Sequence, residues 1–364
     1  MQKSQSGIVS ITVLTSGTPE YTNSSGIRIK GTFSCLHKCS FCPDEKPSEA
    51  NNWIQQPKSY LYTEPAVLRA NQNDFDPIKQ MNSRISSLLK MGHIVDKIEL
   101  LVLGGTWSEY PKEYQEEFIT NLYYSANVYY DENKRQVLSL EEEIKLNEIS
   151  KIHIIGLTLE MRSDSINLSE IKRLRRFNCT RVQLGVQHTN NQILKMNNRG
   201  ETVEITKRAI KLLKNNCYKI DVHLMLNLYG SSPELDREML NSILEEQELQ
   251  VDQLKIYPCA IVPFTKIREL YEEGIYKPYE EKYLFELIKS RIMITLYPIP
   301  EWMEPIVLEL SGGVYTTIDQ LKTDVGQLTY RDSDVIITLN NLINTIHALN
   351  QKGYIKTDVK NPIS

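Results

Sequence analysis

The chain is predicted to be an α/β protein. A partial TIM-like barrel of six βα units, (β/α)6, is expected over residues 1–300, and a small, mostly helical, winged-helix-like module over 301–364. Three observations carry this. Strand-like and helix-like segments take turns along most of the chain, which is the order of a parallel sheet wound with helices. Several of the strand-like runs are apolar on both faces, as in a sheet covered by helices. Beyond Pro300 the alternation stops, and apolar residues recur instead at Val335, Ile336, Leu339, Leu342, Ile343, Ile346 and Leu349, the spacing of one buried helix face.

Taken in order, a first strand is expected at 27–33, where Ile27-Arg-Ile-Lys-Gly-Thr-Phe33 alternates apolar and polar residues. The next four are expected at 97–103, 152–159, 181–186 and 219–225, and a sixth at 253–257. Helices are expected at about 76–91, 112–127, 167–177, 202–216 and 233–247, with another at about 280–295 after the last strand. In the tail a short helix is expected near Ile318–Val325, then the longer amphipathic one, ended by Gly353 and followed by a short strand from Tyr354-Ile355.

The most telling local feature is Cys35-Leu-His-Lys-Cys39-Ser-Phe-Cys42, a C-x3-C-x2-C loop. Thiolates are soft ligands that select iron–sulfur clusters or zinc. A four-iron cluster normally takes four cysteines, so three leave one iron open for chemistry. S-adenosylmethionine (SAM) can chelate such an iron, and the spacing is the signature of the radical-SAM superfamily, in which an aromatic before the third cysteine, here Phe41, is usual. A Cys3His zinc site with His37 stands as the alternative, although His37 lies between the first two ligands. Cys179, Cys217 and Cys259 are scattered singly and read as small hydrophobes.

In a barrel of this kind the reactive face lies where strands end. The candidates are then Gly104-Gly105-Thr106, Glu160 with Arg162, Gln187 and Tyr257. The glycine pair lets backbone approach a ligand closely, as it would at the amino group of SAM, or forms an ordinary tight turn. Glu160 and Arg162 are read either as contacts to the carboxylate or ribose of SAM or as an ion pair closing the barrel mouth. Gln187 is a neutral hydrogen-bonding group for SAM or substrate. Tyr257 shapes the substrate pocket, relays a hydrogen atom, or simply packs with its hydroxyl at the rim. His93, His153, His223 and His347 read as satisfied core or surface histidines.

Composition excludes other classes. The net charge of -4 advertises no global basic field. Six cysteines without regular pairing do not form a secreted framework, and the first residues carry no apolar signal core. A cytoplasmic location with no membrane contact is expected. The basic clusters at Lys172–Arg176, Lys207–Lys214 and Lys289–Arg291 read as solvated helix faces before phosphate tracks.

From about residue 7 to 300 the chain resembles the radical-SAM core of the Elongator catalytic subunit, the family that carboxymethylates wobble uridine of tRNA. The matching stretches include Ser6–Ile11 as the opening strand, Pro57–Pro65 with Leu68-Arg-Ala70, and Gly92–Glu99. Further on come Gly104–Tyr114, Gly156–Arg162, Leu184–Gln187, Asn198-Arg-Gly200 and Leu254–Pro258. The resemblance implies a transferase in which Cys35, Cys39 and Cys42 hold a [4Fe-4S] cluster. Gly104, Gly105, Glu160 and Gln187 would line the SAM site, and Lys255 and Tyr257 would face the substrate. It implies tRNA and an electron donor as partners, acetyl-CoA as co-substrate, and addition at C5 of the uridine.

Four departures accompany it: a shorter cysteine loop, Asn227 in place of an aspartate, no basic extension ahead of Gly7, and no room after Pro300 for the family's acetyltransferase domain. The tail carries five Lys/Arg against eight Asp/Glu, so it is expected to pack on the barrel or meet a protein partner rather than nucleic acid. The alternatives are a radical-SAM enzyme with a diverged donor or substrate, and a non-catalytic scaffold that keeps the barrel.

Overall fold

The computed structural model describes residues 7–284 and Leu287, apart from 33, 34 and 36. Six parallel strands form one curled sheet in the order β1 (Val9–Leu14), β4 (Lys97–Leu103), β5 (His153–Met161), β6 (Arg181–Gln187), β7 (Lys219–Leu226), β8 (Gln253–Pro258). Two short strands, β2 (Glu20–Thr22) and β3 (Arg28–Lys30), pair antiparallel outside it. The helices are α1 (Pro65–Gln72), α2 (Pro77–Lys90), α3 (Lys112–Asn127), α4 (Leu140–Asn147), α5 (Leu168–Arg176), α6 (Asn191–Met196), α7 (Val203–Asn215), α8 (Pro233–Glu245) and α9 (Lys266–Glu272).

This is the expected half-barrel, with one substitution of parts. The stretch expected to supply the first barrel strand, 27–33, instead gives β3, and Ile27 is 61% exposed. The first barrel strand is β1, whose Val9, Ile11 and Val13 are buried and which pairs with β4 from Val9↔Ile98 to Leu14↔Leu103. The hairpin is a surface feature tied to α3 by the Arg28–Glu117 ion pair and by the Thr22 N–H donating to Glu117 (2.8 Å). Most of the expected helix at 280–295, and all of the module at 301–364, lie outside the described residues.

The strands are not apolar on both sides. Ile98, Leu100 and Val102 of β4, Leu157, Leu159 and Met161 of β5, Val182, Leu184 and Val186 of β6, and Ile220, Val222, Leu224 and Leu226 of β7 form one continuous core. Helices cover that face. The alternate positions, Glu99, Thr158, Glu160, Arg181, Gln183, Asp221, His223 and Lys255, turn to the concave side, because paired residues in a parallel ladder share a face. The interior of the curl is therefore polar.

Its lower end, where the strands begin, is closed by ion pairs. Arg181 Nη1 lies 2.6 Å from Asp221 and 3.1 Å from Gln253 Oε1, and Arg181 Nη2 lies 3.5 Å from Glu99. At the upper end β5, β6, β7 and β8 run into loops that end on a capping residue. Asn167, Asn190, Thr202, Ser232 and Thr265 each accept from a backbone N–H in the first turn of α5, α6, α7, α8 and α9. These caps fix where the strand-end loops stop and hence what faces the mouth.

Candidate active site

The cysteine loop lies across the upper end of the sheet and is held from three directions. The Ser40 N–H donates to the Asn197 carbonyl (3.0 Å), and Ser40 Oγ lies 2.6 Å from Asn197 Oδ1. The Ile267 N–H at the start of α9 donates to the Ser40 carbonyl (2.9 Å). Lys58 Nζ donates to the His37 carbonyl (2.7 Å), and the His37 ring sits 3.3 Å from Asp164. Gly200 is required there, since a Cβ on it would fall 2.6 Å from His37 Nδ1.

Two buried arginines point at one sulfur. Arg199 Nη1 is 3.6 Å from Cys39 Sγ, and Arg162 Nη1 is 4.0 Å from it. Arg162 is also bound to Asp164 (2.8 Å), to Glu201 (3.3 Å) and to the Arg199 carbonyl (2.7 Å). Glu201 lies 3.4 Å from Arg199. The Cys42 thiol hydrogen-bonds to Cys39, and with the two guanidiniums it outweighs burial and brings Cys39 down to about 5. Cys42, giving its proton to that bond and buried, is pushed well above the usual thiol range.

Cys35 is partly exposed, and among the described residues no three His, Cys, Asp or Glu side chains gather closely enough to hold a metal. The loop brings two of its three cysteines together. The donor set nonetheless suits a sulfur-ligated iron cluster. A thiolate-ligated cluster carries net negative charge, which the buried Arg162 and Arg199 guanidiniums are placed to balance. The zinc alternative gains nothing, because the imidazole of His37 is turned to Asp164.

Next to this pair stands the glycine turn. Gly104 has φ 129° and Gly105 φ 98°, and a Cβ on Gly104 would lie 2.0 Å from Thr15 Oγ1, so side chains are excluded. Both backbone N–H groups face the Glu160 carboxyl, which also accepts from Tyr60 OH (2.8 Å). Burial raises the Glu160 pKa despite these donors. Thr106 is buried just beyond, at the start of the 3-10 turn Trp107–Glu109. Tyr110 OH donates to the Gly104 carbonyl (2.9 Å) and fixes the turn from behind.

Gln187 has φ 71° and follows a register shift between β6 and β7 at Gly185. Its Nε2 crosses above Gly185, 2.9 Å from where a Cβ would be, beside Arg199 Nη2 at 3.1 Å. Lys255 acts electrostatically on Glu160 and on His223. Tyr257 is 44% exposed at the rim and meets His223 edge-on at 5.5 Å. The fold therefore collects Gly104, Gly105, Glu160, Gln187, Lys255 and Tyr257 around one mouth. Arg162 is engaged in the ion pairs that stood as the alternative to a SAM contact. Its donors serve Asp164, the Arg199 carbonyl and Cys39, so it holds the cysteine loop.

Two readings of the sequence change. Asn227 is not a neutralised pocket group: its Oδ1 accepts from the Tyr279 N–H (3.1 Å) and its Nδ2 donates to the Tyr279 carbonyl (3.2 Å). An aspartate could not make the second bond. The basic run on α5 is engaged as well. Arg176 bridges Glu116 and Glu141 (2.6 Å each), Arg173 pairs with Glu170 (2.8 Å), and Arg175 lies 4.8 Å over the Tyr218 ring. Arg199, Glu201 and Asp164 were not singled out as site residues in the sequence. They stand beyond strand ends far from Cys39 along the chain, and only their charge on otherwise polar loops marked them.

The model of the radical SAM superfamily matches residues 29–243. The chain belongs to that superfamily. It is 36% identical over 299 residues to the tRNA uridine(34) acetyltransferase of Methanocaldococcus infernus, covering 82% of this chain and 54% of that protein. It is 32% identical over 264 residues to human Elongator complex protein 3, covering 72% of this chain and 46% of that one. Among solved structures, the archaeal M. infernus Elp3 with an N-terminal deletion superposes with a TM-score of 0.61 at 31% identity, covering 81% of this chain and 55% of that one. The chain spans about half the length of the curated relatives it matches. Among the described residues no helix is long and apolar enough to cross a membrane.

Proposed function

We propose that this superfamily member cleaves SAM at a [4Fe-4S] cluster held by Cys35, Cys39 and Cys42 and modifies tRNA at C5 of a wobble uridine. The observation that carries this is the pair of buried guanidiniums aimed at Cys39, one loop away from the Gly104–Gly105 turn. When bound, cluster and SAM together supply a 5′-deoxyadenosyl radical.

The chain's own groups do the positioning. With the Cys42 thiol, Arg199 and Arg162 hold the Cys39 thiol below the usual range, and the two arginines pin the loop. The Gly104–Gly105 turn and the Glu160 carboxyl that its N–H groups hold form an edge for the amino group of SAM. Gln187 offers an amide beside them. Lys255 and Tyr257 face the substrate from β8, with the polar curl behind them. Acetyl-CoA as carbon donor, an electron donor and a protein partner for the acidic tail complete the reading, in a cytoplasmic setting.

The test is reconstitution with iron and sulfide without oxygen, followed by reduction, addition of SAM and measurement of 5′-deoxyadenosine with and without tRNA and acetyl-CoA. Formation raised by both additions is expected. Formation indifferent to both means a diverged substrate, and none with the cluster verified means a scaffold. Cys39→Ala is expected to abolish the brown absorbance together with 5′-deoxyadenosine, and a variant keeping both would sink the assignment.

A further inference from the structure

The concave face holds polar atoms that nothing among the described residues satisfies. Gln183 on β6 is 1% exposed, yet neither its Nε2 nor its Oε1 has a hydrogen-bond partner. His223 Nε2 on β7 is likewise buried and unpartnered. Lys255 stands in register with His223 on β8 and belongs to no ion pair among the described residues. Glu160 stands in register with Gln183 on the other side, on β5. Native structures leave few buried polar atoms unmet, and both ends of one amide left open is a sign of a missing partner.

The chemistry of that partner follows from the amide. Gln183 presents a donor and an acceptor side by side. A carboxylate or a thioester carbonyl only accepts and would leave Oε1 unmet. An imide edge, C(=O)–NH–C(=O), meets both atoms, and its second carbonyl can take a proton donor from Lys255 or His223. His223 stays neutral there, because burial and then Lys255 bring its pKa to about 4. A pyrimidine ring entering imide-first would turn its C5–C6 edge and its sugar bond back toward the mouth, where the cysteine loop lies.

We propose that Gln183 is the residue that reads the base: its side-chain amide pairs with the imide edge of a uracil ring inserted into the barrel, with Lys255 and His223 at the other carbonyl. This rests on the tRNA-uridine reading above and adds the residue that sets its selectivity. A 6-aminopurine edge also sets a donor beside an acceptor, so the adenine of SAM is the rival occupant.

The probes are anticodon stem-loop RNAs carrying uridine, N3-methyluridine or cytidine at the wobble position. Binding to the full reconstituted chain is read by fluorescence anisotropy, and SAM binding by equilibrium dialysis. The unaltered protein is expected to prefer uridine over N3-methyluridine by about tenfold or more, the worth of a two-bond base contact. Gln183→Met is expected to bring the ratio to within about twofold while SAM affinity holds, since only the base contact is lost. Gln183→Leu, which also removes both the donor and the acceptor, gives the same reading should the methionine variant fold poorly.

A variant that keeps the preference for uridine overturns the proposal and leaves a buried water as the partner of Gln183. Loss of SAM affinity with the preference intact overturns it in favour of adenine. An unaltered protein that binds all three RNAs equally overturns it while leaving the tRNA reading in place. Binding to none of them overturns both.

Discussion

The two ends of the concave face are built from the same residue types and do opposite things. At the lower end Arg181 is surrounded by Asp221, Glu99 and Gln253, and its charge is answered on the spot. At the upper end Arg199 faces a cysteine sulfur, and Arg199 Nε and Glu201 Oε2 are buried without partners. A satisfied network holds the sheet closed. The upper one keeps polar atoms open among the described residues. The contrast follows the general division of such barrels, in which the strand starts carry stability and the strand ends carry chemistry.

The sharpest way to break the comparison is to remove each arginine in turn. Arg199→Met takes away one of the two arginines on buried Glu201 and leaves it to Arg162, and is expected to cost about 3 kcal/mol in urea unfolding and to lower iron bound per chain after reconstitution. Arg181→Met is expected to cost about 2–3 kcal/mol, less because Arg181 is partly solvated, and to leave iron content and SAM binding unchanged. Equal loss of iron in both variants would show that the two ends are not functionally distinct.

The layer between them has its own signature in pH. The folded pKa of His223 is depressed to about 4 by burial and Lys255, whereas the unfolded histidine titrates near ~6.5. The unfolded chain therefore takes up the proton first. The stability held by neutral His223 is fully present above the unfolded value and is lost as pH falls from there toward the folded one. Between about pH 7 and about pH 5 the expected loss is about 2 kcal/mol. His223→Leu should flatten that part of the pH profile, and an unchanged slope would mean His223 is hydrated or already charged.

The smallest effect is expected on the outside. Arg176 bridges Glu116 and Glu141 at the surface, and Arg176→Ala is expected to cost at most about 1 kcal/mol. The salt dependence of RNA binding should stay the same, because a guanidinium held by two carboxylates has little left for a phosphate. A flatter salt dependence in the variant would restore α5 as a phosphate track.

Much of this was legible in the sequence. The strands at 97–103, 181–186, 219–225 and 253–257 fall within a residue of β4, β6, β7 and β8, and 112–127 matches α3. Long apolar periodicity survives tertiary context. The failures were of two kinds. Ile27 and Ile29 alternate with polar neighbours in the manner of a barrel strand, yet form only a surface hairpin, because pattern alone does not say which sheet a strand joins. The short helices α1, α4, α6 and α9 went unread, since six to eight residues carry too little periodicity without their packing partners.

The site divided the same way. Cys39, Cys42, the glycine pair, Glu160 and Gln187 were visible as motif or strand end. Arg199, Glu201 and Gln183 were not, because their meaning depends on which atoms are left without partners, and that exists only once the strands are in register.

The Asn227 clamp sets a limit on how this chain can be shortened. Its amide holds Tyr279 by two bonds to the backbone, while Tyr279 OH and Ser231 share the Asp236 carboxylate with buried His188. A version ending before residue 279 would keep all six strands and every cysteine of the loop. It would also open a buried histidine–aspartate pair to water at the end of β7, so a shortened version has to run past the last strand to Tyr279 to keep that pair covered.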